Sequence, residues 1–339
     1  MSADRSIHAC ISAIEYFLPE CELTSADLAK DFVQWSPEKI FAKTGITRRH
    51  IADPSQTAVD MAVRAAEKLF ARGAVTPDQV DFIILCTQTP DFFLPTSACI
   101  VQDRLGVPVT AGGFDINQGC AGFIYGLAAA KGLVESGTAA RVLLLTADTY
   151  TRLVRKTDWN VRSLFSDGAA ATLVSAIPAD GEAKSFIGPF CFGTDGSGAE
   201  RLIVRTGGFR NPAASAMEPP YVEMNGPAIF AFGLERVPRA VSELLEKEGI
   251  PLSAVDLFVF HQASSVMLES LRMSLSIPPE RFFVNIAEHG NTVSSTIPIA
   301  LRDAHAQGLI RPRDTVLLSG YGVGLSWGAT LVRFPGAIS

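Results

Sequence analysis

Three residues of this chain pair a reactive or hydrogen-bonding side chain with a setting that could use it. Cys120 lies in FDINQGCAGFIYGL, where a short strand from Phe114 gives way to Gly119-Cys120-Ala121-Gly122 and then to a helical apolar stretch reaching Val134. A strand-to-helix turn offers the positive end of the helix dipole and free backbone N–H groups, which stabilise a thiolate, and small neighbours let a substrate backbone approach. That setting makes a nucleophile. A buried structural cysteine is the competing reading. His261 ends the apolar strand of DLFVFHQAS, at the carboxyl edge where α/β sheets collect catalytic groups; a satisfied core histidine is its plain alternative. Asn291, in EHGNTVSSTIPIAL, is expected to open a helix, where an N-cap role alone would explain it. Gly320-Tyr321-Gly322-Val323-Gly324 follows another strand but lacks the lysine and helix of a P-loop, so nucleotide triphosphate binding is rejected. Backbone lying close to a substrate is the better use of those glycines.

The elements that must position these residues repeat. Ala65 to Leu85 and Ala240 to Phe260 both read as an amphipathic helix, a glycine turn, Val-Asp and an apolar strand. Arg141 to Thr149 (RVLLLTADT) is echoed by Thr315 to Gly322 (TVLLSGYG), and each precedes a Gly-Ala segment ending in Thr-Leu-Val, at Gly168 to Val174 and Gly328 to Val332. Both echoes lie about 175 positions apart, which predicts two copies of one α/β unit. The near-continuous apolar strands predict sheets covered on both faces, with helices alternating between strands. Residues 1–178 are expected to form a half carrying the cysteine, and 179–339 a half carrying the histidine and asparagine. The Gly, Pro and Ala-rich stretch from Pro178 to Pro227 reads as the passage between them. In this register His261 takes the place of Cys86, and Cys120 and Asn291 each open the helix before the TVLL-like strand of their own half. A pseudo-twofold arrangement would bring both helix starts to one central cleft.

Composition sets the bounds. The 339 residues are 47% hydrophobic and 19% charged, which excludes disorder. With 29 basic against 35 acidic residues the net charge is −6, so nucleic acid is a poor partner. No signal peptide and no membrane-spanning run is read. The six cysteines form no C-x-x-C pair and the five histidines no H-x-x-x-H pair, so neither a disulfide framework nor a metal site is expected and a reducing cytoplasm fits.

With these residues in view, the chain resembles the β-ketoacyl-acyl carrier protein synthase III family of the thiolase superfamily, as a divergent member, over nearly its whole length. The matching pieces are Lys43-Thr44-Gly45-Ile46 with Arg48 and Arg49, the Cys120 segment, SDGAA around Asp167, HQA at His261, HGNT at Asn291 and the terminal GYGVGLSWGATLVRF. The resemblance implies a duplicated five-layer αβαβα thiolase-like fold, a homodimer and a Cys120, His261, Asn291 site. It further implies acyl transfer from an acyl-coenzyme A to Cys120, with the backbone N–H groups of Cys120 and Val323 as the oxyanion site, then decarboxylative condensation with malonyl-acyl carrier protein. Coenzyme A enters as a thioester substrate, and no metal or redox cofactor is implied.

Several positions depart from the family pattern. Trp35 matches the usual tryptophan at the coenzyme A adenine, but Trp159 stands at the usual arginine, so two indoles are expected to grip both faces of the base. Leu94, beside Phe92 and Phe93, occupies the position that closes the partner subunit's acyl pocket; its neutral reading is a dimer contact. Val266, Ala231, Met273 and Ser274 replace the basic residues of the carrier-protein dock, and Ser264 replaces an asparagine. Arg272 and Arg236 are the candidates to restore the patch, since acidic carriers are steered by opposite charge. Acyl transfer to a small-molecule alcohol or amine without decarboxylation, and a non-catalytic scaffold, are the rival functions.

Overall fold

The computed structural model describes residues 7–178, 186–212 and 219–334. In the first half, strands β1 (Ile7–Phe17), β2 (Cys21–Thr24), β3 (Arg48–Ile51), β4 (Phe82–Cys86), β5 (Gly112–Ile116), β6 (Arg141–Asp148) and β7 (Gly168–Pro178) accompany helices α1 (Ser25–Asp31), α2 (Pro37–Thr44), α3 (Ala58–Ala71), α4 (Ser97–Leu105), α5 (Gly122–Glu135) and α6 (Trp159–Arg162). The second half holds β8 (Ile187–Thr194), β9 (Leu202–Val204), β10 (Val222–Met224), β11 (Leu257–Phe260), β12 (Thr315–Gly322) and β13 (Ser326–Arg333). Its helices are α7 (Gly226–Glu248), α8 (Ser265–Ser274), α9 (Ile286–His289) and α10 (Thr296–Ala306). Helices begin where the sequence supplies caps: Thr57 and Asp60 form a reciprocal capping box at α3, and Asn225 accepts the Ala228 N–H at α7.

One sheet has the order β1-β7-β6-β4-β5 and the other β8-β13-β12-β11. In the first, β4 runs parallel to β5 and β6, while β7 is antiparallel to β6 and β1. In the second, β11 is parallel to β12, while β13 is antiparallel to β12 and β8. Phe282 bridges Phe258 in parallel, on the side of β11 where β5 flanks β4. The second sheet thus follows the first strand for strand, and the paired sequence echoes fall on α3-β4 against α7-β11 and on β6-β7 against β12-β13.

Strand residues alternate between the two faces. Ile84, Val142 and Leu144 of one sheet and Val259, Val316 and Leu318 of the other share a core with Phe123 and Leu127 of α5 and Ile297 and Leu301 of α10. Ile83, Leu85 and Leu143 face α3 and α4 instead, and Phe258, Phe260 and Leu317 face α7 and α8. The layers are therefore α, β, α, β, α, the thiolase-like order, with α5 and α10 buried between the sheets. Cover on both faces is why the strands carry unbroken apolar runs.

The stretch from Pro178 to Pro227 is more ordered than its composition predicts. It supplies β8, a full strand paired with β13, and the β9-β10 ribbon. Gly188 and Pro189 fit inside β8 because it lies at a sheet edge, where one side needs no ladder bonds. Residues 179–185, at the expected boundary between halves, and 213–218 lie outside the described residues. Among the described residues no helix is long and apolar enough to cross a membrane.

Candidate active site

Cys120 occupies the turn between β5 and α5, His261 the first position after β11, and Asn291 the link between α9 and α10. All three are buried and line one chamber of about 110 Å³. Strand β12 passes directly beneath Cys120. A Cβ on Gly322 would stand 2.9 Å from its sulfur, and one on Gly320 would stand 2.8 Å from its carbonyl oxygen. The glycines of the terminal segment are thus required by close backbone approach.

The backbone N–H groups of Cys120 and Val323 both act on the Cys120 sulfur, each favouring its thiolate form. Two donors from different halves of the chain therefore converge on one point. Even so, burial and the Asp148 carboxylate push the thiol up to about 12. The thiolate expected from the helix dipole is corrected on this point: taking a charge out of water costs more here than two N–H donors return. Asp148, at the end of β6, is itself fully buried, accepting the Gln88 N–H at 2.8 Å and the Ser294 hydroxyl at 2.8 Å, and burial raises it to about 7.

Burial also holds His261 neutral, its pKa lowered to about 3. Its Nδ1 lies 2.8 Å from Thr296 Oγ1, which is 3.2 Å from the Val293 carbonyl. The tautomer decides the roles at this contact: with the imidazole proton on Nε2, Nδ1 accepts from the Thr296 hydroxyl, and with it on Nδ1 the hydroxyl donates to the Val293 carbonyl. The Asn291 Oδ1 accepts the Val293 N–H at 3.0 Å, which fixes the amide orientation and leaves Nδ2 as the donor. Asn291 is therefore not an N-cap: its side chain closes a turn onto Val293, the 3₁₀ turn Val293–Ser295 has Thr292 at its N-cap, and α10 begins only at Thr296. Val293 has φ 55°, a strained value for a β-branched residue, at the residue this bond holds. The first half clamps the Asn291 backbone, which donates to Leu164 at 3.0 Å and accepts from Ser166 at 2.9 Å. Buried Arg49 secures that clamp by donating to the Ser163 carbonyl.

Comparison with known proteins agrees with this constellation. Residues 114–196 match the family model for 3-oxoacyl-[acyl-carrier-protein] synthase III, and residues 245–334 match the model for its C-terminal part. A beta-ketoacyl-[acyl-carrier-protein] synthase III of Streptomyces coelicolor is 39% identical over 322 residues, covering 94% of this chain and 95% of that protein. A crystal structure of a 3-oxoacyl-(acyl-carrier-protein) synthase III superposes with a TM-score of 0.93 at 50% identity, covering 96% of this chain and all (100%) of that one. The chain belongs to the 3-oxoacyl-[acyl-carrier-protein] synthase III family. The corresponding structure from Pseudomonas aeruginosa, at 33% identity, gives a TM-score of 0.88 over 98% of this chain and 100% of that one.

Other positions singled out in this synthase III sequence stand apart from the chamber. Trp35 and Trp159 stack directly on each other, 4.6 Å between centroids and 7° between planes, with Lys43 Nζ 4.7 Å over Trp35. No base fits between rings already in contact, so the expected two-sided grip is not the arrangement adopted. Leu94 is 86% exposed and lines no part of its own chamber. Arg272 is tied to Glu269 and to the Ile277 carbonyl, and Arg236 lies over Trp327, so neither presents a free basic patch. Val266 and Met273 leave the outer face of α8 apolar, and Ser264 caps that helix through the Met267 N–H. A groove of about 680 Å³ lined by Arg152, Arg155, Lys156 and Arg162 shares Phe165 with the chamber. Sequence reasoning missed Thr296, Asp148 and the side chain of Tyr321; only the Ser-Ser-Thr run after Asn291 hinted at the first.

Proposed function

We propose that the enzyme transfers an acyl group from an acyl-coenzyme A to Cys120 and condenses it with malonyl-acyl carrier protein, giving 3-oxoacyl-acyl carrier protein and carbon dioxide. The observation that carries this reading is the chamber shared by Cys120, neutral His261 and the Asn291 amide, with the backbone N–H groups of Cys120 and Val323 both favouring negative charge at the sulfur. Cys120 attacks the thioester carbonyl, the bond to coenzyme A breaks, and the cysteine proton leaves with coenzyme A as its thiol. The N–H groups of Cys120 and Val323 take the oxyanion. In the second half-reaction Nε2–H of His261 and Nδ2–H of Asn291 donate to the malonyl thioester oxygen. As the bond to the carboxylate breaks, carbon dioxide leaves and the electron pair enters an enolate, which attacks the acyl group. Cys120 departs as thiolate and takes one proton from solvent. The balance needs no metal or redox cofactor.

The basic groove suits the phosphates of the acyl donor, and the Trp35-Trp159 pair gives an aromatic surface for its base. We further propose a homodimer in which Leu94 reaches the partner's acyl pocket, because Leu94 is exposed together with Phe92 and Phe93, and Phe209 packs on Phe93. A cytoplasmic location follows from acyl-coenzyme A as donor and from six free cysteines.

The test is a two-stage incubation. Acyl-coenzyme A thioesters of increasing length are added, the mass of the Cys120 peptide is read, and malonyl-acyl carrier protein or malonyl-coenzyme A follows with carbon dioxide measured. An adduct without carbon dioxide from either malonyl thioester sinks the condensation. The Asn291→Ala variant should keep the adduct and lose decarboxylation by about 100-fold or more, as removal of one oxyanion donor does elsewhere. Loss of both would contradict its role.

A further inference from the structure

One residue that lines the chamber carries a polar group that the steps above leave unused. Tyr321, in β12, is 1% exposed, and its hydroxyl is buried without a hydrogen-bond partner. It is the only chamber-lining residue with such an atom among the described residues. Its ring stands edge-on to His261, 5.7 Å between centroids at 80°. Gly233 of α7 makes room for it, since a Cβ there would come within 2.9 Å of the ring. Leaving a buried hydroxyl unsatisfied costs about 1–3 kcal/mol, so such a group calls for an explanation.

The acceptor substrate has a matching need. Resting on the condensation read above, His261 and Asn291 each offer one donor, which together serve the two lone pairs of the thioester oxygen. The carboxylate of the malonyl unit then needs a donor of its own. No lysine or arginine lines the chamber among the described residues, and the remaining lining is mostly apolar, from Leu164, Phe165, Met224, Ile229 and Met267. We propose that the Tyr321 hydroxyl binds the malonyl carboxylate and so distinguishes a malonyl from an acetyl thioester. A neutral donor fits the chemistry better than a cation. The carboxylate must give up its charge as carbon dioxide leaves, and a guanidinium would hold that charge in the ground state. The phenol keeps its proton throughout; only the carbon–carbon bond of the malonyl unit breaks. Burial and the neighbouring Cys120 raise the phenol pKa, which keeps it a donor.

Tyr321→Phe tests this in the full-length enzyme. A charge-assisted hydrogen bond is worth about 1.5–3 kcal/mol, so the KM for the malonyl thioester should rise roughly 10- to 100-fold. The kcat should hold or rise, the Cys120 acyl adduct should form at the wild-type rate, and the thermal midpoint should be unchanged or higher. An unchanged KM overturns the proposal, as does a fall in kcat at constant KM, which would put the phenol on the enolate oxygen. Loss of the acyl adduct also overturns it by making the residue structural. Wild-type enzyme that acylates but releases no carbon dioxide refutes the condensation itself, a separate result from any of these.

Discussion

Two backbone N–H groups favour a thiolate at Cys120, yet its sulfur is buried and near the Asp148 carboxylate, and the second influence is the stronger. In the proposed mechanism, nucleophilicity therefore comes at the moment of reaction, with the proton departing alongside coenzyme A from a resting thiol. Alkylation by iodoacetamide should accordingly accelerate about tenfold per pH unit through at least pH 9, as expected for a thiol raised to about 12. A plateau in that rate near neutral pH would show instead that the N–H donors prevail. Cys120, His261 and Asn291 could be picked out as candidates in the sequence because each sits at an element boundary, Cys120 and Asn291 before a helix and His261 after a strand. Thr296 and Tyr321 could not. Thr296 matters through a bond to a histidine 35 positions away, and Tyr321 through the absence of any bond.

Elements carry these residues, and Asp148 is where they are tied together. It ends β6, accepts from Gln88 just beyond β4, and accepts from Ser294 just before α10, joining the two copies of the repeat near Cys120. Its folded pKa of about 7 lies above the ordinary 3.8. Between about pH 4 and 7 the folded chain keeps a proton that the unfolded chain has released, so this group makes the fold less stable as pH rises. Asp148→Asn should remove that trend, gaining on the wild type from pH 4 to 7 in denaturant midpoints. Parallel midpoint curves would contradict it. His261 titrates with the opposite sense, its pKa lowered to about 3, but it is present in both proteins and cancels in the difference. The repeat itself was legible because apolar runs at matched spacing are a strong signal. Strand β8 was not, since an edge strand tolerates the same Gly and Pro that mark a loop.

At the scale of the whole molecule, 47% hydrophobic and 19% charged residues suit a chain with five layers, three helical and two of sheet. Yet burial does not account for every apolar side chain. Phe92 is 60% and Phe93 73% exposed next to Leu94, with Phe209 packed on Phe93 from beyond β9. An apolar group this concentrated on one face is what the proposed dimer would cover. The sequence placed Leu94 at such a surface only through the family resemblance, because nothing local in DFFLPTSAC distinguishes an interface from a core loop. A twofold pairing would bring the same patch of each copy into one contact, so a charge at its centre meets its own copy or a dry aromatic wall. Phe93→Asp should therefore convert a dimer into monomers in sedimentation at micromolar concentration while far-ultraviolet dichroism stays unchanged. Acyl-chain preference should broaden with it, because the pocket would lose the side chain that the other copy supplies. A wild-type chain that sediments as a monomer, or a variant that stays dimeric, would rule out this surface as the interface.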